Sequence, residues 1–211
     1  MGNNFDFNPW ITIFTKPRMT IRAIVDNNPN FRLFWLAAIY GACSLLGLIQ
    51  NFRAGESSKL IYILPFLLLA PFWGYLLFSF SSFFVFIAGR LLKGQGSFKA
   101  VRSAYAWSSV PLIINLILWL FLISFFGLGL FSEEVLRGML TPASSFFLMG
   151  VILVQFVFSI WSLVIYVVSL SEVQRFSILR TLANLLIAFL FFFTIGLAVS
   201  MILIKTGVIV V

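Results

Sequence analysis

The chain is 211 residues long, 62% hydrophobic and only 9% charged, with a net charge of +8 and a mean hydropathy of +1.10. A soluble domain carries about a quarter charged residues, so this composition excludes a globular protein bathed in water on every side. With no histidine and one cysteine, Cys43, it also excludes His/Cys metal centres, histidine acid–base catalysis and an intrachain disulfide.

Residues 1–32 form a polar tail holding Asn3, Asn4, Asp6 and Asn8. The tail lacks the continuous apolar run and small-residue cleavage site of a signal peptide, so the first span is expected to act as an uncleaved anchor. Between Thr15 and Val25, Pro17, Ile21, Ile24 and Val25 share one helical face with Arg18 and Arg22 beside it, and Asn27-Asn28-Pro29 ends the pattern. With Trp10 and Phe14 this reads as an amphipathic helix lying in the membrane interface; an ordinary helix packed beneath a bundle is the other reading.

Residues 33–211 read as a five-span domain. The charged residues leave gaps at 33–52, 60–89, 103–132, 138–171 and 181–204, and each supplies the roughly 20 apolar residues that cross a bilayer core. Spans are expected at 33–50, 61–88, 104–130, 146–170 and 182–204: an all-α, polytopic membrane protein, five transmembrane helices with an N-terminal amphipathic helix. Ala37, Gly41 and Ser44 in the first span, and Gly196 with Ser200 in the last, are small faces that permit close helix approach. Pro65 and Pro71 are expected to kink the second span and Pro111 the third, with the freed carbonyls bonded by neighbouring helices. Ser132, Glu133 and Glu134 open a short outer helix, and Thr141 caps one that begins at Pro142. Tyr62, Trp73, Trp107, Trp119 and Trp161 serve partly as interface anchors.

Ten of the fourteen Lys and Arg fall in segments that share a side with the N-terminus. The positive-inside bias therefore places the N-terminus in the cytoplasm and the C-terminus outside. In this setting the +8 balance indicates topology and attraction to anionic lipid headgroups rather than nucleic acid. The expected lipid or partner surface is Arg18, Arg22, Arg90, Lys93, Lys99, Arg102, Glu172, Arg175 and Arg180. Glu172 is expected to pair with Arg175 or Arg102, or to stand in a solvated charge cluster. Lys93-Gly94-Gln95-Gly96-Ser97 lacks the phosphate-loop fingerprint and reads as a turn, with Ser97 capping the next helix. No acid lies within a span, which weighs against ion-coupled transport. Asn115, Gln155 and Asn184 should point inward and bond across helices, as glue more than as a substrate path. No cofactor is implied.

Three stretches carry a family resemblance: Asn8-Pro9-Trp10 with Lys16-Pro17-Arg18-Met19-Thr20-Ile21-Arg22-Ala23-Ile24; Gly94-Gln95-Gly96-Ser97-Phe98-Lys99 leading to Tyr105-Ala106-Trp107 and Val110-Pro111; and Trp161 followed by Leu170-Ser171-Glu172-Val173-Gln174-Arg175-Phe176-Ser177. In their order the chain resembles the Yip1 domain family of five-span proteins, linked in eukaryotes to Golgi and ER traffic and to Rab GTPases and partner membrane proteins. Its short tail is too small for a separate domain, and the compact form is similar to prokaryotic members. The resemblance implies a bacterial or archaeal cytoplasmic membrane, with a Golgi or ER membrane as the alternative.

Two functions follow. The first is a non-enzymatic membrane protein that organises partner membrane proteins or lipids through its cytoplasmic face. The second is a permease or lipid-translocating protein with a path between the second and third spans. A polar cavity around Asn115 and Gln155 would favour the second; a dry, packed bundle would favour the first. No nucleophile–base pair supports an intramembrane enzyme.

Overall fold

The computed structural model describes residues 5–51 and 67–205; Tyr62, Pro65, Arg53 and Lys59 lie outside them. Helix α1 (Pro9–Thr15) is capped by Asn8, whose side-chain oxygen accepts from the Trp10 N–H at 3.0 Å. Helix α2 (Pro17–Asn27) follows and stops at Asn28, as the Asn-Asn-Pro signal predicts. Its apolar face is filled by protein: Ile21 and Ile24 are fully buried in one cluster with Ile13, Phe78, Trp107 and Ile165. The helix is amphipathic, and of its two readings this packing matches the one beneath the bundle.

The remaining helices are α3 (Leu33–Asn51), α4 (Ala70–Leu91), α5 (Phe98–Ser108), α6 (Ile113–Phe126), the short α7 (Glu133–Met139), α8 (Pro142–Gln174) and α9 (Ile178–Lys205). All regular structure among the described residues is helical. Five segments are long and apolar enough to span a bilayer: α3, α4, α5 with α6, α8, and α9. Their outward faces are apolar as well, with Phe146, Ile152, Phe156, Val157, Phe189 and Phe193 exposed. Such a continuous surface is stable against hydrocarbon and not against water.

Helices α3 and α4 approach backbone to backbone. A Cβ on Gly41 would stand 1.9 Å from the Ala70 carbonyl oxygen, and one on Gly74 1.9 Å from that of Ala37. The expected Ala37/Gly41/Ser44 face is therefore the contact, and Ser44 Oγ also accepts from Trp73 Nε1 at 3.2 Å. At Gly196 of α9, by contrast, no described residue lies within 4 Å of a Cβ.

The prolines divide. Pro111 sits in a 3-10 turn, Val110–Leu112, that separates α5 from α6. Carbonyls at this break find partners on other helices, as expected: Ser162 Oγ of α8 donates to the Ser108 oxygen at 2.8 Å, and Cys43 Sγ of α3 reaches the Leu112 oxygen at 3.9 Å. Pro71 follows a turn at Leu69 that separates helical residues 67 and 68 from α4, and residues 61–66 of the expected span lie outside the described ones. It occupies the first turn of α4, where no intrahelical partner exists for its missing N–H to lose. Thr141 and Ser144 form a reciprocal capping box at the start of α8, with Pro142 first in the helix. At 33 residues α8 is about 50 Å long, so its last turns extend past the hydrocarbon core.

Candidate functional site

The three resembling stretches, far apart in sequence, meet at one end of the bundle. Trp10 of α1 packs on Trp107 of α5 with ring centroids 5.2 Å apart, and Phe31 stacks on the same indole at 6.0 Å. The final turn of α8 docks on the α4–α5 turn, where Gly96 N–H donates to Gln174 Oε1 at 3.1 Å and Gln95 N–H to the Gln174 carbonyl at 3.3 Å. Gln174 is 1% exposed, and the glycines around it explain the turn. A Cβ on Gly89 would lie 2.2 Å from Gln174 Nε2, and one on Gly94 2.3 Å from Oε1. Those glycines make room for a buried amide, not for a phosphate. Ser97 caps α5 as expected, accepting from Ala100 N–H at 3.2 Å.

Over this junction opens a cleft of about 820 Å³, lined by Arg18, Arg22, Asp26, Ser97, Glu172 and Arg175 among others. Glu172 pairs with neither Arg175 nor Arg102. Its partner is Arg22 on α2, whose Nε donates to Glu172 Oε1 at 2.7 Å and whose Nη2 makes a second contact. The expected partners were Arg175, three positions on, and Arg102 on a neighbouring loop, whereas α2 crosses α8 and brings in Arg22 across 150 positions. Arg175 closes α8 in the left-handed conformation, φ 55°, with Phe176 N–H bonded to the Ser171 carbonyl at 2.9 Å.

The model of the Yip1 domain matches residues 11–200. The chain belongs to the Yip1 domain family. No curated protein and no solved structure matches it. Five apolar helices and family membership make this Yip1 domain an integral membrane protein.

The other expected surface residues scatter. Arg90, Lys93 and Lys99 are exposed outside the cleft, with the Arg90 guanidinium over Phe86 at 5.0 Å. Arg180 stacks on Phe176 at 4.7 Å and donates through Nη2 to the Leu92 carbonyl, tying α9 to the end of α4. Arg102 leaves the surface altogether at 7% exposure. Its Nη1 donates to Tyr75 Oη at 2.6 Å and its Nη2 to Asn30 Oδ1 at 2.9 Å, and the guanidinium lies over the Tyr75 ring at 4.7 Å. Hydropathy counts a charge as outside; the stem of an arginine packs inward when neutral acceptors await its head.

Of the amides expected within the spans, Asn184 is fully buried beside Gly89 and Gln174, yet neither of its side-chain polar atoms has a partner among the described residues. Asn115 Oδ1 is buried without one too. The expected cross-helix bonds are thus not formed at these two. Asn115 and Gln155 instead line a notch of about 490 Å³ with Tyr40, Cys43, Ser44 and Ser159. It has no lining residue in common with the polar cleft. Sequence reasoning missed Gln174 and Asp26. Nothing distinguishes Gln174 from its polar neighbours Glu172 and Arg175 except the glycines 78 to 85 positions upstream.

Proposed function

We propose that this Yip1 domain is a non-enzymatic organiser that holds partner membrane proteins or anionic headgroups in the cleft formed by α2, the α4–α5 turn and the end of α8. The observation that carries this reading is the convergence of three distant stretches on one cleft, where three arginines, Arg18, Arg22 and Arg175, face two carboxylates, Asp26 and Glu172, so that positive charge is in excess by one. An excess of fixed positive charge attracts acidic segments and anionic lipid. The positive-inside bias of the basic segments supports a cytoplasmic position for this end, and the reading takes the membrane to be a bacterial or archaeal cytoplasmic membrane or, alternatively, that of the Golgi or ER.

A second reading, lipid translocation, draws support from the notch at Asn115 and Gln155, since a polar recess at membrane depth is where a headgroup would cross. One comparison separates the two. Photo-crosslinking from position 95, an exposed position on the cleft wall, in native membranes should capture a discrete partner or headgroup, and Arg18→Glu with Arg175→Glu should abolish it. Capture that survives the double reversal, together with lipid scrambling in proteoliposomes that Asn115→Leu abolishes, would replace the organiser with the translocator.

A further inference from the structure

A second recess lies on the lateral face of the bundle, away from the polar cleft. It runs between α3 and α4 with a volume of about 750 Å³, its walls including Leu33, Phe34, Leu69 and Phe72 and its head formed by Asn30, Tyr75 and Arg102. Phe34 and Phe72 are 62% and 68% exposed, so the groove opens toward the surrounding medium, and both helices are membrane spans.

Arg102 is the anomaly. An arginine keeps its charge in proteins, and removing a guanidinium from water is unfavourable by several kcal/mol unless an opposite charge meets it. The partners of Arg102 are neutral: Tyr75, Ser79 and Asn30 oxygens and the faces of Tyr75 and Phe98. No carboxylate among the described residues stands against it, and its Nε is buried without a partner. The side chain is more than nine-tenths buried and still forms part of the groove lining.

The direction of the groove completes the case. Asn30 lies just before Leu33, so the charged head of the groove is at the end where α3 begins. From there α3 runs on through Phe34 and Ala37 while the antiparallel α4 descends from Tyr75 through Phe72 to Leu69. A buried cation with an apolar channel leading away from it is complementary to an anionic amphiphile, its head at Arg102 and its tail along the channel. We propose that this groove is a site for one anionic phospholipid of the surrounding bilayer, its phosphate against Arg102 and Asn30 and an acyl chain along Phe34, Phe72 and Leu69. The site is independent of the polar cleft, so either proposal can fail alone.

The test uses the purified full chain in detergent with dioleoylphosphatidylglycerol or dioleoylphosphatidylethanolamine added, read by native mass spectrometry. One phosphatidylglycerol should remain bound at least about tenfold more than phosphatidylethanolamine, a difference of ~1.4 kcal/mol. Arg102→Gln should erase the preference and Arg18→Gln with Arg22→Gln should leave it. Leu69→Trp, which fills the channel at an exposed position and leaves Arg102 in place, should also reduce retention. Should Arg102→Gln fail to fold, a photoreactive phosphatidylglycerol on the wild-type chain should label peptides containing Phe34 and Phe72. Equal retention of the two lipids, labelling spread over the outer faces of α8 and α9, or an acidic protein displacing the lipid in an Arg102-dependent way would each overturn the assignment.

Discussion

At the level of single residues, the glycines of the α4–α5 turn and Gln174 form one unit. Adding a methyl at Gly89 puts carbon 2.2 Å from the Gln174 amide nitrogen, so the amide must move and its bond to Gly96 is strained. Gly89→Ala is expected to destabilise by about 1–3 kcal/mol, as overpacking does. Gln174→Ala costs a similar amount for a different reason, because Gly96 N–H loses its acceptor in a buried site. Combined, the two changes should cost clearly less than the sum of the single effects, since the truncated side chain vacates the space the new methyl needs. Thermal unfolding of the four proteins in detergent measures the coupling; strict additivity would separate Gly89 from Gln174. The sequence displayed the turn and the Ser97 cap but not their purpose, because a glycine chosen for a neighbour's volume looks the same as one chosen for a turn. Likewise Arg22 and Arg102 are both basic residues near a span end, and only packing makes one an ion pair partner and the other a buried cation.

Among the helices, the informative contrast is between small faces that meet and those that do not. Gly41 and Gly74 let α3 and α4 touch through their backbones, and in lipid such close contact supplies the association that the hydrophobic effect cannot. Gly41→Leu or Gly74→Leu must push the helices apart, because the obstructing atoms are carbonyls that cannot rotate away. Each should destabilise by about 3 kcal/mol, the upper end for overpacking. Gly196→Leu, with no described residue within 4 Å of the new Cβ, should shift stability by less than about 0.5 kcal/mol. Melting curves of the three variants decide the matter, and a Gly196 effect as large as that at Gly41 would contradict the packing. The spacing of small residues was legible in both α3 and α9, but a face becomes a contact only when a second helix presents its own, and Gly74 was needed for that. The prolines teach the same lesson. Thr141-Pro142 was readable because the cap precedes the ring, whereas hydropathy runs unbroken through Pro71 and hides that α4 begins beside it.

For the whole molecule, the bundle and the N-terminal helices share one core. Charge-free intervals revealed the five spans because a bilayer tolerates so few alternatives. They could not reveal whether α2 rests on lipid or on protein, since both environments select the same apolar face. The structure places Ile13, Ile21 and Ile24 against Phe78, Trp107 and Ile165, with each of the three isoleucines fully buried. Burial of one such side chain is worth about 1.5–3 kcal/mol, so α1 and α2 contribute several kcal/mol and hold one wall of the polar cleft. A chain that begins at Asn28 should therefore lose both: a lower unfolding temperature in detergent, and an emission maximum shifted toward that of a wetter indole as Trp107 loses its cover of Trp10. An N-terminal segment bound mainly to lipid would behave otherwise, since its removal would leave the melting temperature unchanged. The truncated protein thus tests whether the cleft is an integral part of the fold, as its shared core requires, or an attachment at its edge.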